Sequence, residues 1–228
     1  MIYNMIRYTQ NPKQIKLPEL KVIEKDGKRM YVTPEGNHYP SVTTVTGWKK
    51  REFFAEWRRK HPEESRYALK RGNDFHTLIE HYTQNEEVSS HSDERTQNMF
   101  EQIKPELHKI DNILAQEVAL WSDTMKLAGR VDCIAEYDGK LSIIDFKTSK
   151  KIKDEYEIED YFLQATCYAV MMEERTGIEI SNIVILMSCE EGSVLVFQQN
   201  PKKYIKKLME TIRIYTSENS NLKVYNER

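Results

Sequence analysis

The sequence predicts an α/β (α+β) fold: a mixed central sheet flanked by helices, preceded by an N-terminal hairpin and helical embellishment. Two observations carry this. Residues 129–137, GRVDCIAEY, and 140–148, KLSIIDFKT, alternate as strands around Asp138-Gly139, a favoured two-residue hairpin loop because a type I′ turn needs positive φ at both central positions. Stretches of helical period lie on both sides of that hairpin, at 50–84 and 160–176, and strands interleaved with helices build mixed layers.

The elements follow in order. Residues 20–33 alternate through a second tight turn, Asp26-Gly27, closed by Pro34 to Asn37. Ser41 caps a short helix ending near Gly47. Lys50 to Gln84 is helical with a break at Pro62, its second half carrying Tyr67, Leu69, Phe75, Leu78 and Ile79. Asn85 to Asp93 is a polar loop, and Asp93 to Gln116 reads as one long helix kinked at Pro105. Three strands come next, Glu117 to Ser122, Ala128 to Tyr137 and Lys140 to Thr148. A helix from Asp160 to Thr176 is stopped by Gly177. Strands at Ile180 to Ser188 and Val194 to Gln198 precede a basic amphipathic helix from Pro201 to Tyr215. The chain of 228 residues suits one domain with a good core. It divides into an extension with its hairpin, 1–35, a single domain, 36–216, and a polar tail, 217–228.

Charge excludes one simple class of nucleic-acid binder. With 34 Lys and Arg against 36 Asp and Glu, the net charge of −2 leaves no global basic field. The cations are instead clustered, at Lys49, Lys50 and Arg51 and again at Lys147, Lys150, Lys151 and Lys153. Cys133, Cys167 and Cys189 are scattered through apolar stretches, as small core residues in a reducing compartment. No apolar run reaches the length of a membrane span, so no membrane is expected as a partner. Residues 1–18 lack acids but hold little serine or arginine, which favours the cytoplasm of a bacterial or phage-infected cell over the mitochondrial matrix.

The hairpin carries the chemistry. Its loop sets Asp132 directly opposite Asp145 and Arg130 opposite Lys147, all four on one face, while Val131, Cys133, Ala135, Ile144 and Phe146 fill the other as core. Opposed side chains of an antiparallel pair have Cβ atoms roughly 4.5 to 5.5 Å apart, and like charges there repel unless a cation holds both ionised. Lys147 or Arg130 would serve in a surface hairpin of ion pairs. A divalent metal would serve too, and oxygen ligands suit Mg²⁺ or Mn²⁺. His76 and Glu80 lie one turn apart on one helix face, so Glu80 is placed to orient the imidazole or approach a cation.

These residues match a family pattern. GRVD followed by IIDFKT resembles the PD-(D/E)XK nuclease superfamily, with Asp132 as the first carboxylate and Asp145-Phe146-Lys147 as the (D/E)XK. Upstream, RGNDFHTLIEHY places Gly72 and His76 like the GxxxH helix of its RecB-like branch. Downstream, QATCY places Gln164 and Tyr168 like that branch's QxxxY helix. PSVTTV, Pro40 to Val45, looks like the segment ahead of the catalytic core in mitochondrial genome maintenance exonucleases and their phage and bacterial relatives.

The resemblance implies a restriction-endonuclease-like core and a Mg²⁺- or Mn²⁺-dependent DNA exonuclease. It would prefer single-stranded DNA with free ends and act in replication, recombination or repair. His76, Asp132, Asp145 and the backbone carbonyl of Phe146 would ligate the metal, with Glu80 or Glu117 as a further candidate. Lys147 would orient the attacking water and stabilise charge on the phosphate. Gln164, Tyr168, Arg130, Lys49, Lys50, Arg51 and Lys150 would hold DNA, with Tyr39, Trp48, Phe53, Phe54 and Trp57 as candidate stacking platforms. Three isolated cysteines cannot build the four-cysteine iron–sulfur cluster of some relatives. A monomer is expected, with replication or recombination proteins as candidate partners. Structure-specific endonuclease action, and a nuclease-fold DNA-binding module with little catalysis, are the alternatives.

Overall fold

Strands β1 (Lys21–Lys25) and β2 (Lys28–Val32) pair antiparallel with Lys25 opposite Lys28, and β3 (His38–Pro40) adds to β2. The computed structural model describes residues 7–25, 27–88 and 92–223, with side chains to residue 219. Asp26 of this turn, residues 1–6 of the extension, 89–91 of the polar loop and 224–228 of the tail lie outside the described residues. The small sheet packs through Leu20, Tyr31 and Tyr39 onto Ala119, Trp121 and Ala128 of the main sheet.

Ser41 caps α1 (Val42–Thr46), its hydroxyl accepting from the Thr44 amide at 3.1 Å. Helices α2 (Arg51–Lys60) and α3 (Pro62–Thr83) meet at His61, with Pro62 at the first helical position, where its missing N–H costs nothing. Helix α4 (Glu94–Leu107) starts under an Asp93 cap. It does not continue to Gln116: residues from Ile110 onward belong to β4 (Ile110–Ser122), paired with β5 (Leu127–Tyr137). Apolar residues at 110, 113 and 114 imitate helical spacing because β4 is bulged. Between the pairs Asp111–Glu136 and Ala115–Ile134, four steps of β4 match two of β5, with Asn112 at φ 50°.

The five-stranded sheet has the order β4-β5-β6-β7-β8, with β6 at Lys140–Ser149, β7 at Asn182–Cys189 and β8 at Val194–Gln199. β7 runs parallel to β6, so the chain must cross over between them, and α5 (Glu159–Thr176) makes that crossing. Gly177 ends α5 at φ 72°, a left-handed conformation that glycine adopts without steric cost. Helix α6 (Ile205–Lys223) runs past Tyr215, so the stretch expected to be a polar tail is helical to 223.

The sheet is buried on both faces. One core cluster joins Ile183, Ile185 and Met187 to α1, α5 and α6. The other joins Val184 and Leu186 to Phe75, Leu78 and Ile79 of α3 and to Met99, Phe100 and Ile103 of α4. The three cysteines are buried free thiols. Among the described residues no helix is long and apolar enough to cross a membrane.

Candidate active site

The β5–β6 ladder runs from Tyr137–Lys140 in the expected register and stops at Cys133–Ile144. One residue further, the Asp132 carboxylate accepts a hydrogen bond from the Phe146 amide at 2.9 Å. A side chain thus takes the place of the strand partner, and the strands part. The expected pairs Asp132–Asp145 and Arg130–Lys147 are not formed. Asp145 continues beside Ile185 of β7, and Arg130 beside Ala119 of β4. Val131 packs in the α1 and α5 cluster, away from Cys133, Ala135, Ile144 and Phe146. Arg130 donates to the Glu117 carbonyl and to Glu19 at 2.5 Å, which makes it a clamp across β4.

The parted strands open into a cleft of about 660 Å³ lined by His76, Glu80, Glu117, Asp132, Lys147, Gln164 and Tyr168. His76, Glu117 and Asp132 each offer a ligand atom within 4.8 Å of the others. His76 Nδ1 lies 3.6 Å from Asp132 Oδ2. Glu117 sits at φ 48°, where pairing between β4 and β5 is interrupted. Such a conformation is uncommon for a residue with a side chain and clusters at functional positions.

Asp145 is 1% exposed. Its Oδ1 accepts from Lys147 Nζ at 2.7 Å, and Oδ2 lies equally near that ammonium. Burial, opposed by Lys147 and reinforced by Asp132, pushes the Asp145 carboxyl up to about 7. Burial alone would lower the Lys147 ammonium, but Asp145 and Asp132 more than reverse this and raise it. The site therefore holds more carboxylate than its one ammonium neutralises. Three crowded acids and one imidazole fit a hard divalent cation.

Glu117 makes the same point through pH. Burial, then repulsion from Asp132 and Glu80, raises its carboxyl to about 8 from an ordinary 4.5. Between those values the metal-free folded chain binds more protons than the unfolded one. The contribution of Glu117 to stability is therefore fully present below about pH 4.5 and is lost as pH rises through about 8. We expect melting temperature in EDTA to fall from pH 5 to pH 8.5, and Mn²⁺ to raise it more at pH 8.5 than at pH 5. A flat EDTA profile across that window would contradict the crowding.

Gln164 and Tyr168 of α5 are 6% and 2% exposed, so they wall the cleft rather than stand out from it. Gly129 explains why: a Cβ there would lie 2.7 Å from the Tyr168 hydroxyl and 3.1 Å from Val42 Cγ2, so only glycine lets α5 close on β5. At Gly72 of α3 a Cβ would meet nothing within 4 Å, although the residue lines the cleft. Helix α3 is itself tied down by Arg71, 6% exposed, which pairs with Glu190 and donates to Thr148 Oγ1 at 3.2 Å. Sequence reading missed Arg71 because its partners lie 77 and 119 residues away.

The basic residues divide. Lys50 is bound to Asp160 at 2.7 Å and to the Glu157 carbonyl. Arg51 stacks on Trp48 at 3.9 Å and pairs with Glu218. These two are structural ties rather than free cations, while Lys49 is exposed. Tyr39 is buried with its hydroxyl donating to Asp123, and Trp48 packs on Tyr215, so neither offers a free face. Phe53 and Phe54 are 68% and 40% exposed. Phe53 and Trp57 line a second cleft of about 930 Å³, with Tyr67, Lys150, Lys151 and Lys153. The two clefts adjoin, Lys147 lining the first and Thr148 the second.

Comparison with known proteins points the same way. A family model described as the PD-(D/E)XK nuclease superfamily matches residues 50–223. Mitochondrial genome maintenance exonuclease 1 of Mus musculus is 28% identical over 210 residues, covering 82% of this chain and 61% of that protein. The Homo sapiens protein of that name is 29% identical over 175 residues, covering 69% and 51%. The Xenopus tropicalis protein is 25% identical over 207 residues, covering 80% and 59%. The chain thus spans between half and two thirds of the curated relatives it matches.

Proposed function

The chain belongs to the PD-(D/E)XK nuclease superfamily, and on that premise we propose that it is a divalent-metal-dependent deoxyribonuclease that degrades single-stranded DNA from free ends. The observation that carries the reading is the convergence of His76, Glu117 and Asp132 within 4.8 Å, beside the Asp145–Lys147 pair. His76, Asp132, Asp145 and Glu117 would hold Mg²⁺ or Mn²⁺, with the Phe146 carbonyl as the family pattern implies and Glu80 close by. When bound, the ion supplies a water acidified for attack and positive charge for the scissile phosphate.

The chain's own residues do the rest. Lys147 presents an ammonium at the wall of the cleft, placed to orient the attacking water and to stabilise charge that grows on the phosphate. Asp145 fixes that ammonium, and Arg71 fixes His76 by anchoring α3 to the end of β6. Gln164 and Tyr168 limit the cleft's width. The second cleft supports an unpaired substrate: exposed rings stack on bases without regard to sequence, and Lys150, Lys151 and Lys153 make no ion pair among the described residues. Lys49 and Lys150 remain candidates for phosphate contact. Replication, recombination or repair is the proposed setting.

A digestion series tests this on linear single-stranded DNA, duplex DNA, closed single-stranded circles and RNA. Linear single-stranded DNA should be consumed progressively and the circle spared. Equal cutting of the circle would overturn action from ends and favour an endonuclease.

A further inference from the structure

We propose that Tyr161 is a positioning residue for Lys147, its ring face holding the ammonium in the cleft independently of Asp145. This rests on the nuclease reading above. Lys147 Nζ lies 5.1 Å from the Tyr161 ring centroid, within the range where an ammonium is attracted to the negative face of an aromatic ring. Lys147 is 17% exposed at its side chain, so this attraction is little screened by water. The ring is itself held. Tyr161 packs against the main core cluster, and the neighbouring Asp160 and Glu157 are both bound by Lys50, which ties the start of α5 to the segment ahead of α2.

Donor geometry gives the ring its role. An ammonium has three N–H groups and accepts nothing. One is directed to Asp145 Oδ1 at 2.7 Å. Asp145 is also a proposed ligand of the divalent ion, and a carboxylate shared with such an ion attracts an ammonium less. An aromatic face does not compete for hard cations, so Tyr161 keeps Lys147 in place whichever partner Asp145 serves. No motif in the sequence marks Tyr161, which lies one turn ahead of Gln164 on the helix that walls the cleft.

Tyr161→Phe keeps the ring, whereas Tyr161→Leu keeps only apolar packing. In the metal-free protein, NMR of ¹³C-labelled lysine side chains should show the Lys147 ε-methylene shifted upfield by the ring in the parent and in Tyr161→Phe, with the shift lost in Tyr161→Leu. In single-turnover cleavage of linear single-stranded DNA at saturating Mn²⁺, Tyr161→Leu should slow the chemical step about tenfold. Substrate and Mn²⁺ affinity should stay unchanged, and Tyr161→Phe should restore the rate to within about twofold. An identical Lys147 resonance in parent and Tyr161→Leu would overturn the contact. A Tyr161→Phe rate as low as that of Tyr161→Leu would overturn the positioning role. A parent without nuclease activity would instead overturn the nuclease reading, and the Lys147 resonance would still decide the contact.

Discussion

Asp132→Asn should lower cleavage by a factor on the order of 10³ or more, because it removes a charged ligand from a site whose ion is proposed to supply several kcal/mol of charge stabilisation. The metal-free protein should be as stable as the parent or more so. Asp132 stands among Glu117, Asp145 and His76, and its charge raises the Glu117 carboxyl. Removing that charge relieves repulsion, and the asparagine oxygen can still accept from the Phe146 amide. Asp145→Asn should be equally inactive but less stable. It leaves the Lys147 ammonium, 17% exposed, without its carboxylate, and breaking a buried pair costs up to about 3–5 kcal/mol. The two aspartates, alike in sequence, thus separate by melting temperature in EDTA. A large stability loss in Asp132→Asn would mean that its carboxylate serves the fold and not a metal.

Lys147→Ala should reduce turnover by about 10² to 10³, the usual loss when one preorganised transition-state donor is removed. Metal binding should survive. A protonated ammonium cannot coordinate a cation, and Lys147 sits 2.7 Å from an Asp145 oxygen that a metal would claim. Its removal should leave Mn²⁺ affinity equal or slightly higher, measured by isothermal titration beside single-turnover kinetics. If Lys147→Ala lost Mn²⁺ binding as completely as Asp132→Asn, the lysine would be holding the site together and its catalytic role would fall.

The parts of this site legible in the sequence are those set by local rules. Asp138-Gly139 fixes five consecutive β5–β6 pairs from the turn outward, and helical spacing places His76, Gln164 and Tyr168 correctly on α3 and α5. What the sequence hides is non-local. The ladder breaks beyond Cys133–Ile144 because the Asp132 side chain captures the Phe146 amide, and no alternation rule contains that choice. The first half of β4 looked helical because its register shifts between Asp111 and Ala115, and Glu117 beyond that shift stands at φ 48° between the pairs Gln116–Cys133 and Val118–Val131, a backbone state that spacing does not show. Lys50 and Arg51 read as free cations until Asp160, Glu218 and Trp48 arrive from elsewhere in the fold. Tyr161 matters through its ring's contact with the Lys147 ammonium, which spacing does not encode.

His76, Glu117, Asp132 and Asp145 are proposed to hold a divalent ion that drives phosphodiester hydrolysis. A metal titration of EDTA-treated protein against end-labelled linear single-stranded DNA tests it most directly. No products should form in EDTA, products should rise with added Mg²⁺ or Mn²⁺ to a plateau, and none should form with Asp132→Asn at any concentration. Cleavage that persists undiminished in EDTA, or an Asp132→Asn protein that cleaves at the parental rate, would contradict it.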